Sequence, residues 1–155
     1  MSAELQHYWL FLDDQHRQIE QLIAGLPPEA LNWRPMEGEG EATNSLAVLV
    51  THTLGAERFW VAEVFGGQSL SRDRDAEFRV SGLDAAALRA DLAWTGSLLR
   101  AVLTGTPAER LETSVTARER TVTRRWAVLH ALEHTALHLG HMQLTAQLWR
   151  AARRP

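Results

Sequence analysis

The strongest constraint on this chain is the spacing of the histidines near its C-terminal end. From Trp126 to Leu144 it reads Trp-Ala-Val-Leu-His-Ala-Leu-Glu-His-Thr-Ala-Leu-His-Leu-Gly-His-Met-Gln-Leu, with histidines at 130, 134, 138 and 141. Spacings of four, four and three are those of one helical face. At about 100° per residue the four rings fall within an arc of roughly 80°. Leu137, Leu144 and Leu148 lie beside them on the helical wheel, so the stripe reads as continuous with an apolar, inward face. Imidazoles on such a face need partners, because burying an unsatisfied polar group is costly. A divalent metal is one partner that satisfies several of them together.

The rest of the chain divides into three further helical patterns. Helix one is predicted over residues 3–24, with Leu5, Trp9, Leu12, His16, Ile19 and Ile23 as its stripe, stopped by Gly25 and Pro27-Pro28. Residues 29–42, with Trp33, Pro35 and the glycine-interleaved Glu37, Glu39 and Glu41, read as a solvated loop with at most a short turn. Helix two starts after a cap at Asn44 or Ser45, carries Val48, Leu49, His52, Ala56, Phe59 and Trp60, and ends at Gly66-Gly67. Residues 68–81, with Arg72, Asp73, Arg74 and Asp75, read as irregular. Helix three opens near Asp84, with Ser81 or Asp84 as its cap, carries Leu88, Leu92, Leu99 and Val102, and ends near Gly105 and Pro107. Residues 108–122 form a connection with a brief extended piece from Ser114 to Val122. Helix four begins near Thr123, and Arg150, Arg153 and Arg154 suit its C-terminus. Four such helices with polar connections predict one all-α, four-helix-bundle domain spanning residues 1–155.

Composition narrows the chemistry. A formal charge of −3 gives no electrostatic case for nucleic-acid binding. The chain has no cysteine, so disulfides and thiolate ligands are excluded and a metal must use His, Asp or Glu. There is no signal-peptide pattern at the N-terminus and no apolar run of membrane-spanning length, so a cytoplasmic protein without membrane partners is expected.

His52 lies on the helix-two stripe, and packing that face against helix four would bring it to His134 and His138. Three histidine nitrogens with an open position are a catalytic zinc pattern, although imidazole also suits nickel, iron and copper. No histidine is followed by glutamate, which removes the His-Glu-x-x-His zinc motif. Glu4-x-x-His7 has no second copy, which removes a di-iron site. The structural alternative is that these histidines are hydrogen-bonded core groups. His130 could pack or cap, His141 could bond a carbonyl, and either could orient a ligand as its outer partner or transfer a proton. His16 on its own reads as a satisfied core residue and His7 as a surface or partly buried one. Trp9, Trp60, Trp126 and Trp149 read as core or interface, Trp94 as partly exposed, and Trp33 as a cover over one end. Arg118, Arg120, Arg124 and Arg125 read first as a solvated charge run, with carboxylate or phosphate binding as the alternative.

Asn32-Trp33-Arg34-Pro35, the run from Asn44 to His52, Glu57-Arg58-Phe59-Trp60 and His134-x-x-x-His138-x-Gly140-His141 resemble the DinB-like superfamily, which includes bacillithiol- and mycothiol-dependent transferases. The resemblance covers nearly the whole chain. It implies a four-helix bundle, often dimeric, with a divalent metal (zinc, nickel or iron) held by His52, His134 and His138. His141 stands where many relatives have glutamine. Members of the superfamily transfer low-molecular-weight thiols or isomerise or hydrolyse small substrates, so the resemblance implies a metal-dependent, thiol-using S-transferase or a related enzyme acting on a small-molecule substrate. A non-catalytic metal-binding or stress-response bundle, and a structural dimeric bundle without metal, are the alternatives.

Overall fold

The computed structural model describes residues 1–37 and 43–153, so the expectations for Glu39, Glu41 and Arg154 lie outside the described residues. Helix α1 (Ala3–Ile23) starts where the Ser2 hydroxyl accepts a hydrogen bond from the Leu5 N–H at 3.3 Å. Leu5, Leu12, His16, Ile19 and Ile23 are its buried face, as the stripe predicts. Pro28 opens a short helix, α2 (Pro28–Asn32), inside the expected loop; its fixed φ suits a first helical position. Ser45 caps α3 (Leu46–Glu57) by accepting from the Val48 N–H. Every residue of α3 but Thr51 is buried. Helix two therefore has no polar face, because a helix apolar all round belongs at the centre.

From Arg58 to Phe65 the same helix continues in π-helical form. The Gly66 N–H reaches back five residues to the Val61 carbonyl at 2.9 Å. The segment expected to be irregular contains a single turn, α4 (Arg74–Glu77), capped by the Asp73 side chain. Helix α5 (Ala85–Gly105) is capped by Asp84. After a 3₁₀ turn (Ala108–Glu112), β1 (Ser114–Ala117) and β2 (Arg120–Thr123) pair antiparallel, with Ala117 opposite Arg120. The brief extended piece is thus a complete hairpin. Its turn holds Arg118 at φ 57°, a left-handed conformation that a non-glycine residue adopts at a cost. Thr123 caps α6 (Arg124–Ala151).

The described chain is mostly helical, with one two-stranded sheet. α6 packs on α1, α3 and the π-helical segment, while α5 packs on α1 and α3. The apolar core falls into two main clusters. One gathers Ile19, Leu54, Leu92 and Leu139; the other gathers Leu12, Val61, Leu99 and Ala131. Between them each long helix contributes a polar or small residue. These are His16 on α1, Glu57 on α3, Thr95 and Gly96 on α5, and Thr135 on α6, all buried. His16 Nε2 lies 2.7 Å from Glu57 Oε2, and the Thr135 hydroxyl donates to Glu57 Oε1 at 2.7 Å. Arg58 donates to the Thr95 hydroxyl at 2.7 Å and to Asp91 at 2.8 Å. A satisfied polar layer thus crosses the apolar interior and fixes the heights at which the helices meet.

The inward face of α6 corrects one expectation. Ala127, Ala131, Thr135, Met142 and Ala146 face the core. Leu137, Leu144 and Leu148 are 57%, 54% and 42% exposed. The histidine stripe lies between these two faces, at the edge of the buried surface. Small side chains let α6 approach α1 and α3 closely, and that approach, not leucine content, decides which side is buried.

Candidate metal centre

Packing of α3 on α6 brings His52 to His134 and His138. One nitrogen from each ring lies within 4.8 Å of the other two. The His52 ring centroid is 5.0 Å from that of His134 and 5.1 Å from that of His138. His134 Nε2 and His138 Nε2 face each other at 3.2 Å, as the four-residue spacing on one helix requires. Ligands held about 2.0–2.1 Å from a tetrahedral zinc lie about 3.3 Å apart, so this separation suits a shared cation. Two lone pairs directed at one another repel unless a proton or a cation lies between them.

The surroundings favour a cation. Burial, helped by the neighbouring His138 and His52 rings, pushes His134 down to about 3. Burial, with His52 and His141, pushes His138 down to about 4. Both rings are therefore neutral donors near neutral pH, the form a metal requires. His134 Nδ1 is buried without a hydrogen-bond partner among the described residues.

His52 is oriented by a residue that sequence reasoning missed. Glu77, on the single turn of α4, places Oε2 2.9 Å from His52 Nδ1, which leaves Nε2 as the ring's available donor atom. Arg72 grips the same carboxylate with two hydrogen bonds, at 2.6 and 2.7 Å. Burial acts to raise the Glu77 carboxyl, but Arg72 and His52 outweigh it and its pKa lies below the usual carboxylate value. The carboxylate sits against Gly55, where a Cβ would lie 2.0 Å from Glu77 Oε1, so α3 must carry a glycine at that point. Phe78 packs on the His52 ring with centroids 4.5 Å apart. A carboxylate on the far nitrogen of a histidine fixes its tautomer and raises its basicity as a ligand. The signal in the sequence was Asp73, a helix cap three residues before Ala76, which marks a turn able to present Glu77.

The other histidines divide. His141 is exposed, and its Nδ1 lies 3.4 Å from His138 Nδ1, the position of an outer partner. His130 stacks on Trp126 with centroids 4.6 Å apart and meets Trp60 edge-on, so it packs at the rim and is outside the three-nitrogen group. His16 is the satisfied core residue described above, and His7 is exposed. Of the arginines, Arg125 pairs with Glu4 and Glu112, and Arg124 binds the hairpin at Thr113 and Ser114. Arg118 instead lies over the Phe59 ring at 4.9 Å. Trp33 meets Trp149 edge-to-face at 5.6 Å, and Trp94 is 53% exposed.

A pocket of about 390 Å³ opens beside His141. Leu49, Met36, Leu144 and Leu148 make it largely apolar, with Asn44 and Thr145 as polar edges. A second, also about 390 Å³, lies under Trp60 and the hairpin turn, with Arg118 and Arg120 in its wall.

A family model described as mycothiol S-transferase matches residues 9–150. The chain belongs to this family, within the DinB-like superfamily. No curated protein matches the chain at a significant level. Among solved structures, a crystal structure of a conserved protein from Enterococcus faecalis superposes with a TM-score of 0.77 at 18% identity, covering 96% of this chain and 97% of that one. That likeness shows a shared fold. In this member of the mycothiol S-transferase family, the residues that converge, His52, His134 and His138, all lie within the matched range.

Proposed function

We propose that this protein is a divalent-metal-dependent S-transferase that joins a low-molecular-weight thiol to an apolar electrophile, with His52, His134 and His138 as the metal ligands. The convergence of three histidine nitrogens carries the reading, and membership of the mycothiol S-transferase family supports it. A bound divalent cation would act as a Lewis acid that favours the ionised form of an incoming thiol near neutral pH.

The chain's own residues supply the rest. Glu77, held by Arg72, keeps the His52 ring turned with Nε2 toward the site. His141 steadies His138 through Nδ1, on the side of the ring away from the site, and the sulfur's proton passes to solvent at the open edge of the site. The thiol sulfur forms a bond to the electrophilic carbon, and that carbon's bond to its leaving group breaks with the electron pair. The pocket lined by Leu49, Leu144 and Leu148 holds the electrophile's apolar body against His141. Arg118 and Arg120 stand at the opposite side, where polar groups of the thiol carrier can be bound. The bundle works as one domain, and the exposed α6 leucines support its pairing as a homodimer.

The test is loss of free thiol when metal-loaded protein is mixed with an apolar epoxide and each of several low-molecular-weight thiols, mycothiol among them. Turnover that disappears on chelation and in His134→Ala and His138→Ala is expected. No turnover above the protein-free blank with any thiol removes the transferase reading and leaves a metal-binding bundle.

A further inference from the structure

A pocket on another face of the molecule is not used by this chemistry. It lies between α1 and α5, has a volume of about 260 Å³, and places His16 in its wall. His16 is buried, only 7% exposed, yet it spends only Nε2 on the protein, in the bond to Glu57. Its Nδ1 has no hydrogen-bond partner among the described residues. That atom lies opposite Gly96, where a Cβ would come within 3.2 Å of Nδ1, so the glycine leaves the nitrogen reachable from the pocket.

Charge around the pocket leaves one positive group over. Arg89 pairs with Glu20 at 2.7 Å and Arg17 with Asp13 at 3.5 Å. Glu57 is 1% exposed, and among the described residues His16 is the only basic side chain that contacts its carboxylate. A buried carboxylate needs a counter-charge, which makes His16 an imidazolium with a second N–H at Nδ1. Burial alone lowers the His16 pKa, but Glu57 and then Asp13 overcome it, and the net direction is up. With these pairs balanced, Arg100 remains. It has no carboxylate within 4.0 Å among the described residues, and its guanidinium carbon lies 5.9 Å from the Trp9 ring centroid. Trp9 and Leu92 supply flat and apolar wall.

We propose that this pocket is a second ligand site, which takes a small aromatic monocarboxylate. Its carboxylate accepts from His16 Nδ1 and Arg100, and its ring lies along Trp9. A monoanion matches the single unbalanced positive charge, and a charge-assisted pair of donors is a strong form of carboxylate recognition.

The probe is benzoate, with neutral benzamide as its isostere, titrated calorimetrically into wild type, Arg100→Gln, Gly96→Ala and His138→Ala. Saturable binding of one benzoate per chain is expected, with benzamide weaker by about tenfold or more. Arg100→Gln should weaken benzoate by about tenfold, Gly96→Ala should block it, and His138→Ala should leave it unchanged. Arg100 is exposed, so its substitution tests the site even if Gly96→Ala perturbs packing. Equal binding of benzamide, no saturable binding, insensitivity to Arg100→Gln, or loss of binding in His138→Ala overturns the proposal. The last result would place the ligand at the three-histidine site instead.

Discussion

His52 depends on Glu77 more than on any neighbour in sequence. Replacing Glu77 with Gln keeps the volume and removes the charge that pins Nδ1, and second-layer changes of this kind typically cost 10–100-fold in metal affinity. Glu77→Gln is therefore expected to weaken zinc binding by about 10–100-fold, read by competition with a chromogenic chelator, with the helical circular dichroism unchanged. His16 gives a separate prediction through pH. Its folded pKa is raised above 6.5, so its stabilisation is present in full below about 6.5 and is lost as pH rises through the folded value. The gap in melting temperature between wild type and His16→Gln should be widest near pH 5.5 and narrow toward pH 9. A gap that widens with pH contradicts the His16–Glu57 ion pair. At this scale the sequence was legible where spacing is fixed by one helix, as for His134 and His138. It was not legible for Glu77, whose partner is 25 residues away on another element, or for Glu57, whose contacts with His16 and Thr135 span 41 and 78 residues.

Among the elements, α3 carries the heaviest constraints. It is buried all round, it donates His52 to the site, and it must carry a glycine at 55 so that α4 can seat Glu77 against it. Gly55→Ala puts a methyl group where the carboxylate lies, and the flexible end of Glu77 must then move. We expect a small change in melting temperature but a loss of zinc affinity comparable to that of Glu77→Gln, since both act through the same contact. Wild-type affinity in Gly55→Ala would show that the His52–Glu77 contact does not position the ligand. Caps and breakers made most element ends readable, as Ser45, Asp84 and Thr123 show. The π-helical stretch was hidden because it continues an unbroken apolar pattern, and the hairpin because its turn uses Arg118 in a conformation normally left to glycine. Leucine content points to the wrong side of α6, because its alanines and Thr135 define the close-packed side.

For the molecule as a whole, the polar layer and the three-histidine cluster are adjacent features of the same helices. Glu57 lies five residues beyond His52 on one helix, and Thr135 follows His134 on another, so the layer fixes the height and rotation at which the site helices meet. The shared fold at 18% identity with the Enterococcus faecalis protein shows how little of the sequence such a scaffold needs. The central claim is that His52, His134 and His138 together hold one divalent cation. It is tested most directly by elemental analysis of untagged wild type and His138→Ala, each incubated with zinc and then desalted. About one equivalent per chain in wild type, lost in His138→Ala while the variant stays folded, is the predicted result. No stoichiometric metal in wild type after incubation with zinc, nickel and iron, or equal metal in both proteins, would contradict it.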